Sequence, residues 1–282
     1  MPIAVLPERG VVEVAGEDRV AFLQGLVSND VADAVPGTAV FAALLSPQGK
    51  WLADFFILAA DDRLLLDCER TQAPMLAQKL SRFRLRSRVT VRDASEAFAV
   101  HVGWGGAPLP TGPGVIAAPD PRLPEAGWRA LAPAPLAGAE ARPEDWDRHR
   151  LALGLPEGSR DLVTEQTVLL EAGFDELHGV SWTKGCYMGQ ELTARTRYRG
   201  LLKRRLVPVR ITGPLPAPGT PVTAGAAAGG AELGEMRSGR DGLGIAQLRL
   251  EALDGRPLQC GEARLEPCIP AWMALPERAA AG

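Results

Sequence analysis

At 282 residues, 46% of them hydrophobic, the chain can bury one large core or two to three small ones. A formal net charge of −3 with 23% charged residues excludes global disorder and the basic excess of a non-specific nucleic-acid binder. Residues 1–10 resemble neither a signal peptide nor a transit sequence, and no window reaches the roughly 20 apolar residues of a membrane span. The expected location is cytoplasmic, with a mature mitochondrial matrix protein as second choice, and no membrane partner is expected.

In chain order, residues 11–14 read as a strand. Asp18 then opens a helical pattern through Val20, Phe22, Leu23 and Leu26, with its carboxylate placed to accept first-turn amide protons. Asn29-Asp30 would close that helix. Residues 41–45 and 51–58 are strand-like, separated by the turn chemistry of Ser46-Pro47-Gln48-Gly49, and 63–68 is another short strand. Residues 71–83 have helical spacing. Residues 88–91 and 97–102 return to strand, and 103–141 is rich in Gly, Pro and Ala, with one short strand at 128–131. Pro143–Leu153 reads as a helix with proline in its first turn. After Arg205 come alternating and turn-rich stretches, with a loop at 214–230, that suggest a small β barrel or sandwich. The resulting division is an α+β region over 1–200 and a β domain over 201–282.

Four cysteines (Cys68, Cys186, Cys260 and Cys268) form no C-x-x-C pair, so the sequence encodes neither a zinc ribbon nor a ferredoxin-type cluster. Cys186 is the one of interest. Lys184 lies two residues before it, Gly185 would permit an unusual backbone angle, and Gln190–Tyr198 has a helix pattern with Glu191 and Arg195 spaced for an i,i+4 ion pair. A thiol beside a lysine and ahead of a helix N-terminus is expected to have a lowered pKa. It would then serve as nucleophile, redox thiol or soft-metal ligand. The alternative is a small residue in a tight loop. The basic run Arg195, Arg197, Arg199, Lys203, Arg204 and Arg205 suits either an anionic ligand or a solvated helix end. Arg82, Arg84, Arg86 and Arg88 would share one face of an extended segment. Asp54 interrupts an apolar strand, either facing a pocket or pointing outward.

The block Lys184-Gly185-Cys186-Tyr187-Met188-Gly189-Gln190-Glu191, continued by Leu192-Thr193-Ala194-Arg195, resembles the signature of the YgfZ family of folate-binding proteins. The stretch from Gly173 to Arg205 is most similar to the bacterial and mitochondrial branch that assists [4Fe–4S] assembly. That resemblance implies a glycine-cleavage T-protein-like fold, with intertwined α+β subdomains around a central folate-sized hole and a C-terminal β barrel. It also implies tetrahydrofolate binding and a role in assembling or repairing [4Fe–4S] clusters, with iron–sulfur carrier proteins and iron–sulfur client enzymes as partners. Cys186 and Lys184 would form the reactive site. Asp54, Gln190, Glu191, Arg195 and Arg197 would contact folate, and Cys186 would be a ligand of a transient cluster shared with a partner. A single cysteine cannot hold a [4Fe–4S] cluster alone. The transferases' pterin-contacting glutamate matches Ala152 here, which argues for an accessory factor over an efficient aminomethyltransferase. The rival readings are a folate-dependent one-carbon transferase using Asp54 and an RNA-binding accessory of tRNA modification using residues 195–205.

Overall fold

A computed structural model describes residues 1–200, 202–225 and 231–275. The body runs β1 (Ile3–Val5), β2 (Arg9–Ala15), α1 (Arg19–Gln24), β3 (Ala39–Leu45), β4 (Trp51–Ala60), β5 (Arg63–Glu69), α2 (Ala73–Phe83), β6 (Thr90–Asp93) and β7 (Ala99–Gly103). It continues through β8 (Ile116–Pro119), β9 (Trp128–Ala132), α3 (Pro143–Leu153), α4 (Gly158–Asp161) and α5 (Gln190–Tyr198). The remaining strands are β10 (Arg204–Thr212), β11 (Pro221–Ala224), β12 (Glu232–Arg240), β13 (Leu243–Arg249), β14 (Leu258–Cys260) and β15 (Ala263–Pro267).

β1 belongs to a four-stranded sheet ordered β1-β7-β9-β8, whereas β2 to β6 form a five-stranded sheet ordered β3-β4-β5-β2-β6. The chain therefore leaves the first sheet, builds the second and returns, which interlocks the two. β10 to β15 close into a barrel ordered β10-β13-β12-β11-β14-β15. This is the interlocked α+β body with a C-terminal barrel expected from the sequence.

β4 is buried on both faces, which explains its nearly continuous apolar run. Trp51, Phe56 and Leu58 face the other sheet and pack with Val11, Phe41, Val100 and Leu131. Phe55 and Ile57 face the helices and pack with Phe22, Leu23, Leu76 and Leu80. The barrel has its own core around Val207, Val209, Met236, Leu248 and Leu265.

Between the sheets lies a buried ionic network. Asp67 accepts from Arg9 Nε at 2.7 Å and Arg129 Nη1 at 2.6 Å, and Asp120 pairs with Arg122 at 2.8 Å and Arg129 at 3.3 Å. The Arg129 guanidinium sits 3.7 Å from the centre of the Phe56 ring. A second network joins body to barrel. Arg150 pairs with Asp147 and Asp161, Arg240 of β12 donates to Asp147 at 2.7 Å, and the Ser238 hydroxyl donates to Asp161 at 2.5 Å.

Several local expectations are corrected. The Asp18 carboxylate caps no amide of its own helix; it accepts the backbone N–H of Arg88 at 2.7 Å. α1 stops at Gln24, and Asp30 instead caps a short 3-10 turn by accepting from Ala32 N. Arg82 is still in α2 and β6 begins only at Thr90, so Arg82, Arg84, Arg86 and Arg88 do not share a strand face. The loop expected at 214–230 contains the short strand β11, and its residues 226–230 lie outside the described residues.

Candidate functional site

The loop that carries Cys186 is stitched to the turn after α1. Ser181 N donates to Ser28 O at 3.0 Å and Met188 N to Gly25 O at 3.1 Å. Between them, Lys184 Nζ donates to the carbonyl oxygens of Val27 at 2.8 Å and Asn29 at 2.7 Å. Half-burial lowers the Lys184 ammonium to about pH 8, with the nearby Asp30 charge opposing. Tyr187 is buried, and its backbone N–H donates to Gln190 Oε1 at 3.0 Å. Burial pushes its phenol up to about 12.

Gly189 and Gly49 explain the glycines of the segment. Both have left-handed φ (+81° and +79°) and they touch: a Cβ on Gly189 would lie 2.5 Å from Ser46 O, and one on Gly49 would lie 2.6 Å from Gly189 O. The turn between β3 and β4 is thus the floor on which α5 starts. Gly185 differs from the expectation. Its φ is outside the left-handed region, and an added Cβ would meet open space.

Cys186 therefore stands between two anchors, Lys184 and Tyr187, with its own side chain exposed. All four cysteines are free. Cys68 and Cys260 are buried, with thiols pushed by burial to about 12 and about 11. Among the described residues no group of three or more His, Cys, Asp or Glu is placed to hold a metal ion. Lys184 is expected to activate the thiol; its ammonium donates to two backbone carbonyls of the turn after α1.

On α5, Gln190 is used within the loop, and Glu191 and Arg195 are both exposed but do not pair among the described residues. The Arg197 guanidinium lies 4.1 Å from the Trp182 ring centre and 3.7 Å from Asp175, whose carboxylate accepts from Trp182 Nε1 at 2.7 Å. Further on, Arg204 faces Glu171, and Arg205 is buried against Glu176 at 2.8 Å. The basic run is thus partly structural and does not form one patch.

Asp54 is separate from this. It is 4% exposed and accepts from Trp51 Nε1 at 3.1 Å. Burial raises its carboxyl to about 6, against the pull of Arg9. Among the described residues no hydrogen bond or ion pair joins it to Gln190, Glu191, Arg195 or Arg197. Sequence reasoning missed Glu157, which is buried at 3.5–3.9 Å from Arg9, Arg129, Arg150 and Arg160 and hydrogen-bonded by none of them. Burial would raise its carboxyl, but those arginines hold it at about 2. Arg9 and Glu157 border a cavity of about 280 Å³ that also meets Glu8, Glu69, Arg70 and Arg160. That volume is just under the usual range of about 300–1,000 Å³ for drug-sized ligands. Its three carboxylates (Glu8, Glu69 and Glu157) are matched by three guanidinium groups (Arg9, Arg70 and Arg160), so its lining carries no net charge. Asp54 is sealed from solvent and Ala152 carries no carboxylate, so neither offers tetrahydrofolate an acid.

The matched family model is the C-terminal β-barrel domain of CAF17, over residues 203–275. Across the whole length, the mitochondrial iron-sulfur cluster assembly factor IBA57 of Homo sapiens is 34% identical, covering 95% of this chain and 84% of its own length. The Mus musculus protein is 35% identical over 89% of this chain and 78% of its own. The chain belongs to the IBA57 family of iron–sulfur cluster assembly factors. The Mycosarcoma maydis homologue is 38% identical over 73% of this chain, which spans 56% of that relative's length. The expected resemblance was to the YgfZ family by name; the family shown is the IBA57 one. These relatives are named mitochondrial, the second of the two expected locations, and they give no support to the first. The glycine cleavage system aminomethyltransferase T of Bartonella henselae superposes with a TM-score of 0.75 over 96% of this chain and 85% of its own, at 15% identity. That likeness shows the fold.

Proposed function

We propose that this IBA57-family chain assists iron–sulfur cluster assembly by presenting the Cys186 thiol to a cluster that a partner protein carries. The observation that carries this reading is the isolation of an exposed thiol on an anchored loop, with no second ligand grouped around it among the described residues. A lone thiolate supplies one of the roughly four ligands that such a cluster takes. An iron–sulfur carrier protein supplies the rest, and the cluster is cargo passed towards client enzymes. On ligation the thiol gives its proton to solvent and its sulfur to iron. Lys184 and Tyr187 hold the loop so that the thiol faces outward. The relatives' names support the assembly role.

Tetrahydrofolate has no step in this reading. The one-carbon transferase alternative rests on Asp54, whose carboxyl at about 6 suits a general base but is closed off from solvent. The RNA-binding alternative loses Arg205 to the interior.

The test mixes the purified chain with a cluster-loaded carrier protein and follows co-elution of visible absorption. Cys186→Ser should abolish the coloured complex while leaving the melting temperature unchanged. In the host, the same allele should lower iron–sulfur enzyme activities. Unimpaired co-elution and full activities would remove the thiol from the mechanism.

A further inference from the structure

The turn between α2 and β6 has a feature that neither folding nor the Cys186 site uses. Residues 81–86 are all exposed, and Leu85 at the tip is 88% exposed. Its φ is +44°, a left-handed conformation that residues with a Cβ adopt at an energetic cost and that Gly or Asn take more readily. Phe83 beside it is 37% exposed. The base of the turn is fixed: Ser87 N donates to Arg84 O at 2.8 Å and Arg88 N to Asp18 Oδ2 at 2.7 Å. Arg88 also pairs with Glu17. Arg82, Arg84 and Arg86 form no ion pair among the described residues, although the chain as a whole is net acidic.

A strained backbone thus projects a large aliphatic side chain into water, among three unpaired guanidinium groups. We infer that this tip is a peripheral docking site for an anionic lipid surface, with Leu85 and Phe83 entering the acyl boundary and Arg82, Arg84 and Arg86 holding phosphate headgroups. Phe83 is the one aromatic side chain of this tip, which disfavours nucleic acid, because single strands are gripped by successive aromatic stacking. A protein interface of ordinary size needs roughly 800 Å² per partner around a packed centre, whereas the apolar part of this tip is two side chains on an exposed turn. Exposed apolar groups flanked by cations match an interfacial anchor. The inference departs from the expectation of no membrane partner, and it concerns contact with a surface, since no described helix is long and apolar enough to cross a membrane.

The experiment is co-sedimentation of the full chain with phosphatidylcholine vesicles, and with phosphatidylcholine and phosphatidylglycerol in roughly a 3:1 ratio. Binding is expected on the anionic vesicles, weakening as salt rises, with partition on the order of a hundred-fold above that on neutral ones, from roughly five-fold per arginine. Leu85→Asn suits the left-handed backbone, so it should raise the melting temperature while lowering partition several-fold. Arg84→Glu with Arg86→Glu should abolish binding without loss of folding, which circular dichroism checks. Equal binding to neutral vesicles, no binding to either, or full binding by Leu85→Asn overturns the inference. Binding to an acidic polypeptide with none to vesicles overturns it too.

Discussion

Lys184 Nζ donates to the carbonyl oxygen of Asn29 at 2.7 Å, across 155 residues of chain. The same ammonium reaches Val27 O at 2.8 Å, so one side chain pins the cysteine loop to the turn after α1. Lys184→Met should therefore loosen that loop. We expect a loss of about 1–3 kcal/mol, because two carbonyls lose a donor, and a drop in cluster co-elution although Cys186 is intact. Lys184→Arg keeps the charge and should restore part of both. If Lys184→Met co-elutes normally, the anchor has no part in presenting the thiol.

The two glycines of the segment separate structure from function. Gly189→Ala places a Cβ 2.5 Å from Ser46 O in a left-handed backbone, and it should destabilise by more than about 1 kcal/mol in urea unfolding. Gly185→Ala meets nothing within 4 Å and should change stability by less than about 0.5 kcal/mol. A fall in cluster transfer in Gly185→Ala, at unchanged stability, would report close approach of the partner beside Cys186.

Much of this was legible in the sequence. The eight-residue segment marked the loop, the runs over Pro143–Leu153 and Gln190–Tyr198 became α3 and α5, and the short strands after Arg205 became the barrel. What was not legible depends on contacts remote along the chain. Lys184 looks like an activator of Cys186 when only two residues of separation are considered; its real acceptors lie on another segment. Asp67 appears as one acid in a short strand, because its partners Arg9 and Arg129 are 58 and 62 residues away. β1 and β8 are too short for periodicity to register, and each exists by pairing with strands that did register.

The central network supplies a stability test. Asp67 stands between Arg9 and Arg129, and all three side chains are buried. Asp67→Asn leaves two buried guanidinium groups short of a counter-charge, and the expected loss is about 3–5 kcal/mol by urea unfolding. A loss under about 1 kcal/mol would mean that water enters the network.

Asp54 makes stability depend on pH. Its carboxyl is raised from 3.8 to about 6 by burial, so the folded state holds its proton more tightly than the unfolded chain does. Between those two values the unfolded chain has lost the proton and the folded one has kept it, so stability falls as pH rises through the window. Above about pH 6 the full cost of ionising a buried acid is present, about 3 kcal/mol. Asp54→Asn can still accept from Trp51 and carries no charge. It should unfold at higher urea than the parent at pH 7, with the gap closing towards pH 4. The same variant bears on folate. If Asp54 is sealed as its packing indicates, tryptophan fluorescence should stay flat when tetrahydrofolate is titrated into parent or variant. A saturable change in the parent that Asp54→Asn removes would show that the centre opens to admit the ligand.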